Sequence, residues 1–328
     1  MTDKKRVALL FGGRGFEHSV SVVGASNVIS LIDSERYDIY PIFIAREGEL
    51  SLRSPILTEN GIPVSPIRGG FLTEGGEHIP IDCAFPLLHG DYGEDGTVQG
   101  LLSFLDIPYV GADARASAIC IDKAVTKSVA EALGIPTVPW RLVTDKSRDG
   151  IDLPAFIKPD CLGSSFGAGA AKDEGELLGA IDTADEIGGG RVIAERLISP
   201  IRELECAYFS AQGEEIFTDA GEILCEGFYS YEKKYSDHSV IADPSAKIPR
   251  RLNEKLREYS RALCEFIGIR HLARIDFFLS GEELYFNEIN TMPGMTSTSL
   301  YLRLLAECGI SHEEAINRLI SDAIGDRP

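Results

Sequence analysis

The chain has 328 residues and a formal net charge of −19, enough length for two or three subdomains with real cores and a field that repels nucleic acid and anionic membranes. Its apolar and charged fractions are those of an ordinary soluble globular protein, no apolar stretch approaches transmembrane length, and the apolar run in MTDKKRVALLFGG is too short for a signal peptide. Cysteines stand at 83, 120, 161, 206, 225, 264 and 308; an odd number without a CxxC argues against zinc ribbons and redox motifs and fits reduced thiols in a cytosol.

In chain order, VALLFG predicts a buried strand, GGRG a turn, and SVSVVGASNVISLI a helix capped by Ser19. YDIYPIFIA (37–45) and IDCAFPLLHG (81–90) predict two more strands, TVQGLLSFL (97–105) a helix and IPYVG a short strand. This order suggests a parallel sheet, whose ligands gather at the carboxyl ends of strands; both GGRGFEHS and LLHGDYGEDG lie at such ends. Residues 113–134 read as helical up to Gly134. A different unit then begins: LPAFIKP (153–159) as a strand, the glycine-rich CLGSSFGAGA, the helix DEGELLGAIDTA and the strand RVIAERLI (191–198). LECAYFSAQGEEIFTDAGEI alternates like a hairpin. GFYSYEKKYSDHS (227–239) is polar, aromatic and aperiodic, a long loop of the kind that is usually functional. A long helix (249–268), the hairpin RIDFFLSGEELYFNEIN and a closing helix SHEEAINRLISDAI complete the chain.

That hairpin carries acids in an apolar setting. Asp276 begins its first strand; Glu288 and Asn290 stand two apart on the second and so share a face. Oxygen donors without Cys or His favour a hard cation such as Mg²⁺, which is usually held by one or two carboxylates together with substrate phosphates. The site therefore implies a phosphorylated ligand. Lys158 at a strand end, followed by GSSFGAG, adds a point charge and small residues whose N–H groups can approach phosphate oxygens. No GK[ST] follows, so this is not a Walker A loop. GGRGFEHS is not a dinucleotide turn either, because His18 fills the third glycine position. Glu17, beside a helix start, is either a dipole partner or a grip for a substrate ammonium.

FGGRGFEHSVS, LLHGDYGEDGTVQGLL, the DKAVTK helix, FIKPDCLGSSFG, the YEKKY loop, RIDFF and FNEINTMPGMTSTSL, in this order over nearly the whole chain, resemble the D-alanine–D-alanine ligases of the ATP-grasp superfamily. The resemblance implies an α/β (α+β) chain with the ATP-grasp fold and an N-terminal parallel α/β domain. Its expected units are residues 1–112 for substrate, 113–194 with the phosphate loop, and 195–328 with the metal and substrate sites.

The resemblance also implies roles. Lys123, Lys158 and Lys234 contact ATP phosphates, under a loop that contains Ser164 and Ser165. Glu195, Arg196 and Ile198 form the adenine hinge, and Glu203 holds the ribose. Asp276, Glu288 and Asn290 carry two Mg²⁺ ions, with Mn²⁺ as a substitute. Arg274 and the Gly294 backbone stabilise the acyl centre, Glu17 holds the ammonium of the first D-alanine, Ser299 and Leu300 receive the carboxylate of the second, and His89 is a further substrate residue. Tyr235, with Ser164 and Glu17, links the closed 227–239 lid to the substrate. The expected reaction is synthesis of D-alanyl-D-alanine for peptidoglycan by a cytoplasmic homodimer, with ATP and Mg²⁺ and with neither nucleic acid nor membrane as partner. Relatives join D-alanine to D-serine or D-lactate; the D-serine type has Arg where this chain has Leu300, which favours D-alanine in both subsites. An inactive nucleotide-binding regulator on the same fold is the reading from another class, and the filled charged positions speak against it. Arg196 replaces a usual Lys or Glu, and Cys161 beside the phosphate loop has no assigned role.

Overall fold

The computed structural model describes residues 4–54, 60–143, 148–224 and 241–325. Among these residues the strands form three sheets. The first is built from β1 (Lys5–Gly12), β2 (Tyr37–Ile44), β3 (Leu50–Leu52), β4 (Ile62–Ile67), β5 (Gly70–Thr73), β6 (His78–Pro80) and β7 (Cys83–Pro86), in the order β6-β5-β4-β3-β2-β1-β7. Only its β2-β1-β7 part is parallel; β3 to β6 extend it as an antiparallel meander. The expected parallel sheet is thus a mixed one. The short, partly polar strands between residues 50 and 80 carry little apolar periodicity, so the sequence did not reveal them. IPYVG adds only a parallel bridge from Tyr109 to Ala84.

Helix α1 (His18–Leu31) begins two residues earlier than expected, with Glu17 rather than Ser19 at its N-cap. The turn before it needs a glycine: Gly12 has φ +91°, and a Cβ there would stand 2.5 Å from the Ile44 carbonyl oxygen. His18 occupies the supposed third glycine position by turning its ring onto Phe43, with Nδ1 2.6 Å from the Gly13 oxygen. The segment 113–134 is two helices, α3 (Ala114–Ile121) and α4 (Lys123–Ala132), which follow α2 (Thr97–Phe104). Asp113 caps α3, accepting from the Ala116 N–H. Asp122 ends α3 in an extended conformation and caps α4, accepting from the Val125 N–H, a local competition for backbone donors that breaks the helix.

The second sheet is antiparallel, in the order β10 (Gly169–Ala171), β9 (Ala155–Pro159), β11 (Val192–Arg196) and β8 (Trp140–Val143), with α5 (Glu174–Gly188) packed on it. The third places β12 (Arg202–Ala211) at its centre. Its order is β15 (Ile241–Asp243), β14 (Gly221–Leu224), β12, β16 (Leu272–Ser280) and β17 (Glu283–Asn290), with β13 (Glu214–Phe217) also on β12. Helix α6 (Arg250–Ile267) covers one face through Leu252, Leu256, Leu263 and Ile267. Phe277, Leu279, Leu284 and Phe286 of the β16–β17 hairpin are buried in the same cluster; burial of each contributes about 1.5–3 kcal/mol.

The closing helices α7 (Leu300–Glu307) and α8 (His312–Gly325) do not stay with the third sheet alone. Tyr301, Leu305, Ile316 and Ile320 share one core with Val7, Leu9 and Phe11 of β1. Asn27 of α1 donates to the Met295 carbonyl oxygen at 2.7 Å, and Asn317 of α8 donates to the Leu31 carbonyl oxygen at 2.8 Å. The first and last segments of the chain are thereby locked together, and the start of α1 faces the 290–300 loop.

Candidate active site

Two adjoining cavities lie where the three sheets meet. The larger, about 630 Å³, is lined by Glu17, His89, Ser164, Asn290, Gly294 and Leu300 among others. The smaller, about 70 Å³, is lined by Lys158, Ser165, Glu203 and Asp276 among others. Lys123, Glu205, Arg274 and Glu288 line both, so the densest charge stands at the junction.

The β16–β17 register builds that junction. Asp276 pairs with Glu288 and Arg274 with Asn290, and the register shifts between Asp276 and Phe277; such a bulge turns side chains relative to a regular ladder. The three expected oxygen donors are therefore brought together. The Asn290 amide donates to Asp276 Oδ2 at 3.1 Å. Arg274 grips Asp276 with Nε to Oδ1 at 2.8 Å and Nη2 to Oδ2 at 2.7 Å, and its Nε lies 3.3 Å from Glu205 Oε2. Burial disfavours the guanidinium charge, but Asp276 and Glu205 outweigh it and push the Arg274 pKa still higher. Lys123 Nζ stands 3.3 Å from Glu288 Oε2 and donates to the Leu162 carbonyl oxygen at 2.6 Å. It thus ties the start of α4 to both the acids and the glycine loop.

The glycine loop has an unusual backbone and is tied to the start of α1. Ser164 and Ser165 have φ of +53° and +56°, a region that non-glycine residues rarely adopt. Ser164 is buried and its hydroxyl donates to Glu17 Oε1. Glu17 makes no side-chain cap bond to its own helix; its carboxylate instead joins the loop after β9 to the start of α1. His89 is buried with Nδ1 2.9 Å from the Met292 carbonyl oxygen, and its Nε2 has no hydrogen-bond partner among the described residues. Ser299 precedes α7 and its hydroxyl accepts from the Thr296 N–H at 2.9 Å. Leu300 is buried, with its methyls against Gly221.

Of the residues expected at the adenine hinge, Glu195 stands beside the smaller cavity's lining residue Lys158. Lys158 does reach the smaller cavity, but Glu195, Arg196 and Ile198 are not among the residues that line either cavity. The Glu195 carboxylate is buried between two ammonium groups, Lys127 Nζ at 2.8 Å and Lys158 Nζ at 3.0 Å. Burial opposes its charge, yet the two lysines prevail and hold its pKa at about 2. Arg196 is exposed and its N–H donates to the Pro139 carbonyl oxygen at 2.9 Å. Lys234 and Tyr235 lie outside the described residues.

Sequence reasoning missed Lys127, Glu205 and Glu94. The first two had a readable signal: Lys127 is four residues after Lys123 on one helix face, and Glu205 is two residues after Glu203 on one strand face. Glu94 is buried within HGDYGEDG and accepts from the N–H groups of Gly90 at 3.0 Å and Met292 at 2.9 Å. It ties the loop after β7 to the one after β17, and burial raises its pKa.

Known proteins share this architecture. The D-ala D-ala ligase N-terminus family matches residues 6–112 and the D-ala D-ala ligase C-terminus family residues 129–321. A D-alanine–D-alanine ligase of Thermoanaerobacter sp. is 36% identical over 98% of this chain and 97% of its own length. D-alanine–D-alanine ligase A of Mesorhizobium japonicum is 37% identical over 99% and 98%. Among solved structures, the VanG D-Ala:D-Ser ligase of Enterococcus faecalis superposes with a TM-score of 0.88 at 32% identity, covering 98% of this chain and 100% of that one. The Bacillus anthracis D-alanine–D-alanine ligase complexed with ATP superposes at 0.77 and 28%, covering 99% of each. Two matched halves and full-length identity above one third place the chain in a single lineage: it belongs to the D-alanine–D-alanine ligase family.

Proposed function

We propose that the chain is an ATP-dependent, ADP-forming ligase that joins two D-alanines into D-alanyl-D-alanine. The observation that carries this reading is the junction of the two cavities. A cleft with Lys158, Ser165 and Asp276 suits a nucleotide polyphosphate; a roomier cavity with Glu17, His89 and Gly294 suits two small zwitterions; and Arg274, Lys123 and Glu288 stand on both. The carboxylate of the first D-alanine attacks the γ-phosphorus and ADP leaves. The amine of the second attacks the acyl carbon of the resulting acyl phosphate, losing a proton as phosphate departs.

The residue roles proposed are those the family resemblance implies, and each suits the chemistry of its side chain. Glu17 grips the ammonium of the first D-alanine, and the buried, open Nε2 of His89 is placed to hydrogen-bond the same molecule. Lys123 and Lys158 balance phosphate charge. Arg274 and the Gly294 N–H stabilise the tetrahedral oxyanion, a donor of this kind contributing about 2.7–4 kcal/mol. The second carboxylate sits over Ser299 and Leu300 at the start of α7, where backbone N–H groups favour an anion. Asp276, Glu288 and Asn290 would hold Mg²⁺: the set offers only oxygens and lies at the nucleotide cleft, as a hard cation shared with phosphates requires. When bound, the metal neutralises charge on the transferring phosphoryl group.

We adopt the division into units expected at 1–112, 113–194 and 195–328, with the second boundary moved past Arg196, because a cut after residue 194 would split β11. The second sheet runs from Trp140 to Arg196 and the third from Arg202 to Asn290, with α7 and α8 returning to the first unit. Among the described residues no helix is long and apolar enough to cross a membrane. The setting we infer from the substrates is cytoplasmic synthesis of a peptidoglycan precursor, by a homodimer as the family resemblance suggests.

A D-alanine–D-serine ligase is the second reading, favoured by the likeness to VanG. The test is phosphate release and dipeptide yield with D-alanine, D-serine and D-lactate competing as second substrate. D-alanyl-D-alanine in step with phosphate is expected; no D-alanine-dependent phosphate would overturn the reading.

A further inference from the structure

We infer that Lys127 is a positioning residue for nucleotide binding, acting through Glu195 to leave the Lys158 charge available to the polyphosphate. The inference rests on the ATP-dependent reading of the same site.

Lys127 is fully buried and does not line the nucleotide cleft. Its Nζ lies 2.8 Å from Glu195 Oε1 and 3.4 Å from the Phe286 carbonyl oxygen. The other carboxylate oxygen, Oε2, lies 3.0 Å from Lys158 Nζ, which also donates to Asn287 Oδ1 at 3.0 Å. Lys158 and Asn287 do line the cleft. Two ammonium groups thus share one carboxylate, and the trio carries a net charge of +1, presented to the cleft by Lys158. Without Lys127 the remaining pair would be neutral, and Glu195 would draw Lys158 back as its sole counter-ion. A buried carboxylate left half-compensated holds its last partner more tightly, because the low-dielectric interior strengthens what remains. The arrangement also links three elements. Lys127 on α4, Glu195 on β11 and Lys158 on β9 connect the helix that begins with Lys123 to the strand that ends at the glycine loop.

The experiment compares the parent chain with Lys127→Met and with Lys127→Met combined with Glu195→Gln. It measures ATP and ADP affinity by calorimetry, KM for ATP and for D-alanine, and the melting temperature. Lys127→Met should weaken nucleotide binding about tenfold or more, the scale of a lost close charge partner, while KM for D-alanine stays near the parent value. The double variant removes one positive and one negative charge, restores +1 on Lys158, and should recover most of the nucleotide affinity. A purely structural Lys127 would instead lower the melting temperature of the single variant without a selective loss for nucleotide. Two results would overturn the inference: a folded double variant that binds nucleotide as weakly as the single one, or a single variant that binds like the parent. A parent chain that binds no nucleotide at all would overturn the ATP-dependent reading itself, and this is measured separately.

Discussion

Arg274→Lys retains a positive charge but replaces a two-pronged donor with a single point. In the parent the guanidinium holds both oxygens of Asp276 at 2.8 and 2.7 Å and stands 3.3 Å from Glu205. An ammonium can follow only one of these directions well. Losing one charge-assisted hydrogen bond costs about 1.5–3 kcal/mol of stability, a drop in melting temperature of several degrees at roughly 2–4 °C per kcal/mol. The rate should suffer more than the fold. If the guanidinium also faces the tetrahedral oxyanion, its loss costs about 10²–10³ in kcat. Coupled ADP release gives kcat, chromatographic dipeptide gives the coupling, and differential scanning fluorimetry gives stability. A variant with a lowered melting temperature but kcat within about tenfold of the parent, less than about 1.4 kcal/mol in the barrier, would refute the assignment. Arg274 would then serve only to hold Asp276 and Glu205 in place.

Three further outcomes are expected. Asp276→Asn and Glu288→Gln should each abolish divalent-ion-dependent ATP turnover while circular dichroism remains that of the parent; normal turnover in both would remove the oxygen set from the metal assignment. Leu300→Arg should weaken D-alanyl-D-alanine synthesis and raise the relative use of D-serine by about tenfold, since a guanidinium offers a hydroxyl hydrogen bonds that a methyl wall does not; an unchanged ratio of kcat/KM values would take Leu300 out of the specificity argument. Acid should release the Glu195 contribution to stability: its pKa is depressed in the fold, so that contribution is present above about pH 4.5 and lost as the pH falls towards about 2. Glu195→Gln, which cannot titrate, should start from a lower melting temperature and lose less of it over that interval than the parent.

Local pattern alone determined much of this protein. The apolar runs of β1, β2 and β16, the turn glycines and the oxygen donors Asp276, Glu288 and Asn290 were legible because each depends on neighbours within a few residues, where period and spacing carry the information. Short-range signals failed where long-range contacts decide. The antiparallel meander of β3 to β6 lacks apolar alternation and is stabilised by pairing with β2. The carboxylate at the Asp122 break caps α4 locally but also accepts from Arg191 Nη2 at 2.9 Å, a partner 69 residues away. The lysine pair around Glu195 joins residues 127, 158 and 195, and nothing in the sequence near Glu195 marks its carboxylate as buried. The junction of the cavities is likewise tertiary: α7 and α8 pack on β1 and bring the 290–300 loop over Glu17. A carboxylate can be read from the sequence, but its charge partners and its burial follow from how distant segments pack, and these set what it can bind.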